Sequence, residues 1–176
     1  HDEGGAQGVV LNKYVDADLD EVLPGWDEHT SCPGGIFQGG PVKLDSAVGL
    51  VALPGDDDPV LGTKRLFGGV GLVDLDAPPV LISPEVAGLR VFVGYAGWGA
   101  GQLESEIDEG GWFVVPARVG DAFTADPPTL WTRVLRRQPP PLCLAATLPD
   151  DAPRFPPDDG RTKTSAAWLI QHSGFD

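Results

Sequence analysis

The chain has 176 residues, with 26 Asp and Glu against 12 Lys and Arg, for a formal net charge of −14. That length suits one domain, or one domain with a tail, and 41% hydrophobic residues are enough for a packed core. The charge opposes direct nucleic-acid binding and anionic membranes, both of which call for cationic neutralisation of phosphate, and no apolar run approaches the ~18 residues of a membrane helix.

In chain order, Gly8–Lys13 (GVVLNK) reads as a buried strand ended by the turn-former Asn12. Ala17–Trp26 is acidic with Leu19, Val22 and Leu23 at helical spacing, which predicts a short helix stopped by Pro24-Gly25. Gly35–Val42 (GIFQGGPV) reads as a short strand running into a glycine turn, and Ala47–Leu53 as another strand. Asp56–Asp58 belong to a charged loop, and Leu66–Leu75 begins with glycines and becomes a strand. Within Pro78–Gly88, Pro84 suits the first turn of a short helix. Leu89–Tyr95, rich in Val and Phe, is the clearest strand. A helix over Gly101–Glu109 and a strand over Trp112–Pro116 follow. Asp126–Gln138 has the strongest helical pattern: Asp126 to cap it, Pro127 and Pro128 for its first turn, and Leu130, Trp131, Val134 and Leu135 as its apolar face. Residues 1–148 thus read as one domain and 149–176 as an acidic, Pro-rich tail of disordered composition. Mixed strand spacing with a few short helices indicates an α+β domain. The chain starts at His1 and contains no Met, which reads as a chain whose front segment precedes His1.

Val91–Trp112 (VFVGYAGWGAGQLESEIDEGGW) raises the functional question. A glycine loop between a strand and a helix has the context of a dinucleotide fingerprint but not its spacing: the third position falls on Gln102 or Glu104, and a carboxylate there would face phosphate. A P-loop fails for want of Gly-Lys-Ser/Thr. On the helix, Leu103 and Ile107 share an apolar stripe flanked by Glu104 and Glu106. These acids read either as helix-start charges facing solvent, or as one carboxylate, Glu104, lining a hollow beside Tyr95, Trp98 and Gln102. Asn12, Gly39, Gly40 and Pro41 complete that candidate pocket, whose hydrogen-bonding character suits a small polar ligand or a peptide. Trp98 and Trp112, which bracket the helix, read first as core anchors.

Other constellations are weaker. His29-x-x-Cys32 could be half of a metal site, with Cys143 and His172 as remote candidates, or plain loop residues. Two widely separated cysteines read as reduced thiols of a cytoplasmic chain, with a thiol redox role as a minor alternative. Arg133, Arg136 and Arg137 form the one basic cluster, either a solvated face pairing with acids or a patch for an acidic partner. No G-x-S-x-G elbow occurs.

Taken together, GYAGWGAGQLESEI with a following Trp, GVVLNK upstream, QGGPV between them, and Leu130-Trp131 through Arg136-Arg137 resemble the AlgH/YqgE family of bacterial proteins over about residues 5–146. The family's Arg-Pro after the Asn is here Lys13-Tyr14, and the opening HDEGGAQG resembles the point where a family member finishes an earlier amino-terminal strand. The resemblance implies a compact α+β fold with a bifurcated mixed sheet, part of it curled like a small barrel, and helices outside. It implies no assigned activity and no cofactor. One branch name reflects a proposed role in transcription without a recognised DNA-binding module. The resulting expectation is a cytoplasmic, non-enzymatic protein acting on a protein or small-molecule partner, with a hydrolase-like enzyme using Glu104 as the alternative.

Overall fold

The computed structural model of the chain describes residues 4–55, 60–82, 84 and 86–145. The tail beyond these, with His172, the Asp56–Asp58 loop, Ser83 and Glu85 lie outside the described residues. The elements are β1 (Gly5–Gly8), β2 (Tyr14–Val15), β3 (Ile36–Gln38), β4 (Val42–Ala52), β5 (Thr63–Phe67), β6 (Val70–Val73), α1 (Pro79–Ile82), β7 (Gly88–Gly99), α2 (Gln102–Asp108), α3 (Val119–Ala122), α4 (Leu130–Arg136) and α5 (Leu142–Ala145).

The fold is α+β, as expected: one mixed sheet in the order β2-β3-β7-β4-β6-β5, with β1 added to β7. The β3–β7 pair is parallel and every other pair antiparallel. The sheet forks at β7. The first half of β7 lies between β3 and β4, whereas its last residues pair with β1, from Gly5↔Gly99 to Gly8↔Ala96. The expected barrel-like curl does not close; the order of strands is that of an open sheet.

Side-chain alternation divides the core between the two faces. Phe37, Leu50, Val70 and Phe92 pack under Ala122 of α3 and Leu130 and Val134 of α4. Their chain neighbours Ile36, Val51 and Val91 point the other way, against Leu19, Trp26 and Ile82. Each buried aromatic or aliphatic side chain contributes about 1.5–3 kcal/mol through removal from water. A sheet covered on both faces therefore explains the near-continuous apolar runs of β4 and β7.

Several expected elements differ. Ala17–Trp26 forms turns and not a helix. The Asp18 carboxylate accepts from the Asp20 amide at 2.9 Å, and the Asp20 carboxylate from the Gly25 amide at 3.0 Å. Short acidic side chains thus capture the backbone donors a helix would use, while Leu19 and Trp26 are still buried. Trp112–Pro116 joins no ladder, and Phe113 and Val114 stand about half exposed. In the GVVLNK run the strand ends at Gly8, and Val10 and Leu11 are buried beyond it. The short helix after Pro78 starts on Pro79, ahead of Pro84. The Asp126–Gln138 segment is a 3-10 turn over Pro127–Thr129 followed by α4; Asp126 makes no capping bond to the backbone, and its carboxylate instead accepts from the Thr129 hydroxyl at 2.7 Å.

The connection from β3 to β4 organises the rest. These strands occupy opposite edges of β7, yet only Gly39, Gly40 and Pro41 separate them. Two strand spacings are ~10 Å, which four Cα steps of ~3.8 Å reach only by a direct path. A detour around the end of β7 is too long, since β7 continues roughly 20 Å past Val93. The chain therefore crosses over the β7 backbone. A Cβ on Gly39 would strike the Gly94 carbonyl and one on Gly40 the Tyr95–Ala96 peptide, so both positions require glycine. Gly94 lies directly beneath, with φ of 68° and Lys43–Ser46 of β4 bulged out opposite it.

Candidate functional site

The eight residues singled out in the sequence fall into two groups in space. Gly39, Gly40 and Pro41 make the crossing itself; the bareness of the two glycines is used up by contact with β7, and Pro41 is exposed. Asn12 sits in the turn beside it, between Val10, whose amide donates to Gly39 at 2.8 Å, and Lys13, whose carbonyl accepts from the Gln38 amide at 2.8 Å. Tyr95 belongs to this group: its ring lies on the same face as Gly97, where a Cβ would be 3.4 Å from Tyr95 Cε2.

Trp98, Gln102 and Glu104 form the second group. Alternation along β7 sets Trp98 on the face opposite Tyr95. After Trp98 the chain turns through Gly99, Ala100 and Gly101, all exposed. Gly101, with φ of 73°, supplies the left-handed step that opens α2, and no side chain caps the helix there. Leu103 is the buried anchor of α2, and Glu104 is half-buried beside it.

The residue that ties this group together is Glu106. Its Oε2 accepts from the indole N–H of Trp98 at 3.2 Å and of Trp112 at 2.8 Å, and its Oε1 accepts from Gln102 Nε2 at 3.0 Å. Gln102 Oε1 in turn accepts from the Gly99 amide at 3.1 Å. The Glu106 carbonyl accepts from the Gly111 amide at 2.8 Å. The two indoles meet edge to face, with centroids 5.8 Å apart and planes at 80°. Turn, helix and return segment are thus fastened to one residue, by bonds that gain strength from the carboxylate charge. Glu106 and Trp112 were absent from the sequence-derived pocket. The signal that finds them is spacing: Trp98, Gln102 and Glu106 recur every fourth residue.

A second polar centre lies beneath the inner part of β7. Arg90 is 1% exposed, and its guanidinium meets only neutral acceptors among the described residues. Nη1 donates to the Ala122 carbonyl at 3.1 Å, and Nη2 to the carbonyls of Cys32 at 3.1 Å and Thr124 at 2.9 Å. Its Cζ stands 4.3 Å from the centre of the Phe37 ring. Burial pulls the Arg90 pKa down to about 10, which leaves it charged at neutral pH. Nearby, Arg137 makes a two-point pair with buried Asp121, which raises the arginine's pKa, and Arg133 donates to the Thr124 hydroxyl. Of the basic cluster only Arg137 is partly buried; Arg133 and Arg136 are exposed, although Arg133 reaches the Thr124 hydroxyl.

Cys32 is exposed and Cys143 half-buried, both as free thiols. Among the described residues no group of three or more His, Cys, Asp or Glu could hold a metal ion, so His29 and Cys32 gain no further ligands there. No described helix is long and apolar enough to cross a membrane.

Residues 1–142, which contain both glycine segments, match the AlgH-like family, DUF179. The chain belongs to that family. A UPF0301 protein of Streptomyces avermitilis is 50% identical over 154 residues, covering 86% of this chain and 80% of the relative. One of Thermobifida fusca is 48% identical over 155 residues, covering 84% and 78%. Among solved structures, protein DIP2367 of Corynebacterium diphtheriae superposes with a TM-score of 0.77 at 38% identity, covering 84% of this chain and 78% of that one. The solution structure of AlgH from Pseudomonas aeruginosa gives 0.62 at 27% identity, covering 86% and 82%. The AlgH-like fold thus extends to both experimental relatives.

Proposed function

We propose that this AlgH-like chain acts by binding a protein or a small polar ligand, without catalysing a reaction, at the surface made by the Gly97–Gly101 turn and α2. The observation that carries this reading is the Glu106 hub. It holds an exposed run of main chain, two half-buried indoles and Gln102 in fixed relation, so a ligand meets polar groups that need little further ordering. Glu104, half-buried on the same helix, adds a carboxylate. Asn12, Gly39, Gly40, Pro41 and Tyr95 belong to the supporting crossing in this reading and not to the contact surface. A net charge of −14 favours a partner that is neutral or basic where it touches, and any influence on transcription is then indirect, through such a partner in the cytoplasm.

The test is recovery of the protein from its own cells, with bound molecules identified by mass spectrometry and mapped by amide chemical shifts. Perturbations centred on Gly97–Gly101 and α2 are expected. Perturbations confined to the Asn12–Pro41–Tyr95 side would move the site to the crossing. A turnover found in a substrate screen and abolished by Glu104→Gln would replace binding with catalysis.

A further inference from the structure

We infer that the Glu106 carboxylate is an internal ligand: it fills an anion-accepting position to which two indoles and a side-chain amide donate, and by filling it sets the shape of the turn. Its functional weight rests on the reading that this turn is the binding surface. The donors come from three separate places, the end of β7 (Trp98), the first turn of α2 (Gln102) and the segment after α2 (Trp112). None is charged. Two indole N–H groups and one amide N–H converging within 3.2 Å of a carboxylate form an arrangement of charge-assisted bonds fitted to an anion. Glu104, on the same helix, is not an acceptor in these three bonds, although the sequence placed it first. Glu106 is therefore a positioning residue: it acts on any partner through the indoles and the Gly99–Gln102 bond.

The consequence is chemical. Truncating Glu106 leaves a carboxylate-sized vacancy still lined by its donors, and a small carboxylate from solution completes it. The experiment follows the indole N–H resonances of Trp98 and Trp112, assigned through Trp98→Phe and Trp112→Phe, in the full chain. In Glu106→Ala both resonances are expected to leave their wild-type positions while amide signals of the β3–β7–β4 core stay put. Acetate or formate is expected to return them, and chloride at equal ionic strength is not. Glu106→Gln, which keeps an oxygen in place, covers the case in which the alanine variant does not fold; there both resonances are expected to shift upfield in step with the weaker acceptor. Indole resonances unmoved in either variant overturn the inference, as does displacement that acetate and formate leave uncorrected beyond the effect of chloride. The binding reading is judged separately. If the indoles move and return as described but ligand or partner retention is the same in wild type and Glu106→Ala, the internal ligand stands and the binding surface lies elsewhere.

Discussion

Strand β7 is held in two different ways along its length. From Leu89 to Tyr95 it is wrapped by main chain: β3 and β4 on its edges, the Gly39–Pro41 crossing over Gly94–Ala96, and Arg90 reaching carbonyls beneath. From Ala96 to Gly99 it is held by β1 and by side chains gathered on Glu106. Glycines mark both parts, Gly39, Gly40 and Gly94 where the crossing meets the inner stretch and Gly97 and Gly99 in the outer one, and they mean different things. In the inner stretch they exist because another backbone lies against them. In the outer stretch they leave main chain open to solvent. The inner stretch supplies rigidity and the outer stretch supplies a surface, which is why the functional proposal is placed on the latter.

The comparison breaks first at the crossing. Gly40→Ala drives a methyl into a peptide group that cannot swing aside, unlike the tip of a flexible side chain. Overpacking against backbone costs about 3 kcal/mol or more, a large part of a small domain's stability. The urea midpoint reads it, and a loss under about 1 kcal/mol would mean that the crossing relaxes and that the two stretches are not so different. Arg90→Met comes next. Removing a buried charge relieves desolvation, but it leaves the Ala122 and Thr124 carbonyls without their donor, at about 1–3 kcal/mol each. The second effect is the larger, so a net loss of about 2 kcal/mol is expected in the same assay. A neutral or stabilising result would show that water reaches those carbonyls and that the inner stretch is not sealed.

The crossing was only half visible in the sequence. Gly39-Gly40-Pro41 read from the sequence as a glycine turn after a short strand; what that turn approaches is set by β3 and β4 lying on opposite edges of β7, a long-range pairing that no local pattern encodes. The strand cores of β3, β4 and β7 were legible because both faces are covered and their residues are continuously apolar. The β5–β6 hairpin was missed although TKRLF and VGLV flank a Gly-Gly pair, which is a hairpin signal in its own right. The segment after Trp112 misled through composition: Phe113, Val114 and Val115 favour strands, but propensity is weak where no partner strand is offered. The candidate surface was legible in part. Trp98 and Gln102 were picked out, and the choice between Glu104 and Glu106 was not, because it turns on where Trp112 returns after α2.

At the outer stretch the expected effects are smaller. Glu106→Gln exchanges a charged acceptor for a neutral one on a half-exposed helix, and a stability loss of about 1 kcal/mol is expected from the weakened bonds. A loss as large as that of Gly40→Ala would place the hub in the sealed core and not on a surface.

The smallest effect sharpens the comparison most. Gly97 lies two residues beyond Tyr95, is exposed, and has an ordinary backbone angle. A Cβ there would meet the Tyr95 ring at 3.4 Å, an ordinary contact. Alanine at this position lowers the entropy of the unfolded chain without strain in the folded one, so a gain of about 0.5 kcal/mol is expected. Gly40 and Gly97 flank the same tyrosine in space, one in the chain that crosses β7 and one facing solvent. If the two alanine variants unfold at the same urea concentration, then sequence context and not backbone contact governs both, and the division of β7 into a wrapped stretch and an open one is wrong. If they separate by ~3 kcal/mol or more, a glycine in this family's motifs can be assigned to support or to surface by stability alone, before any ligand is known.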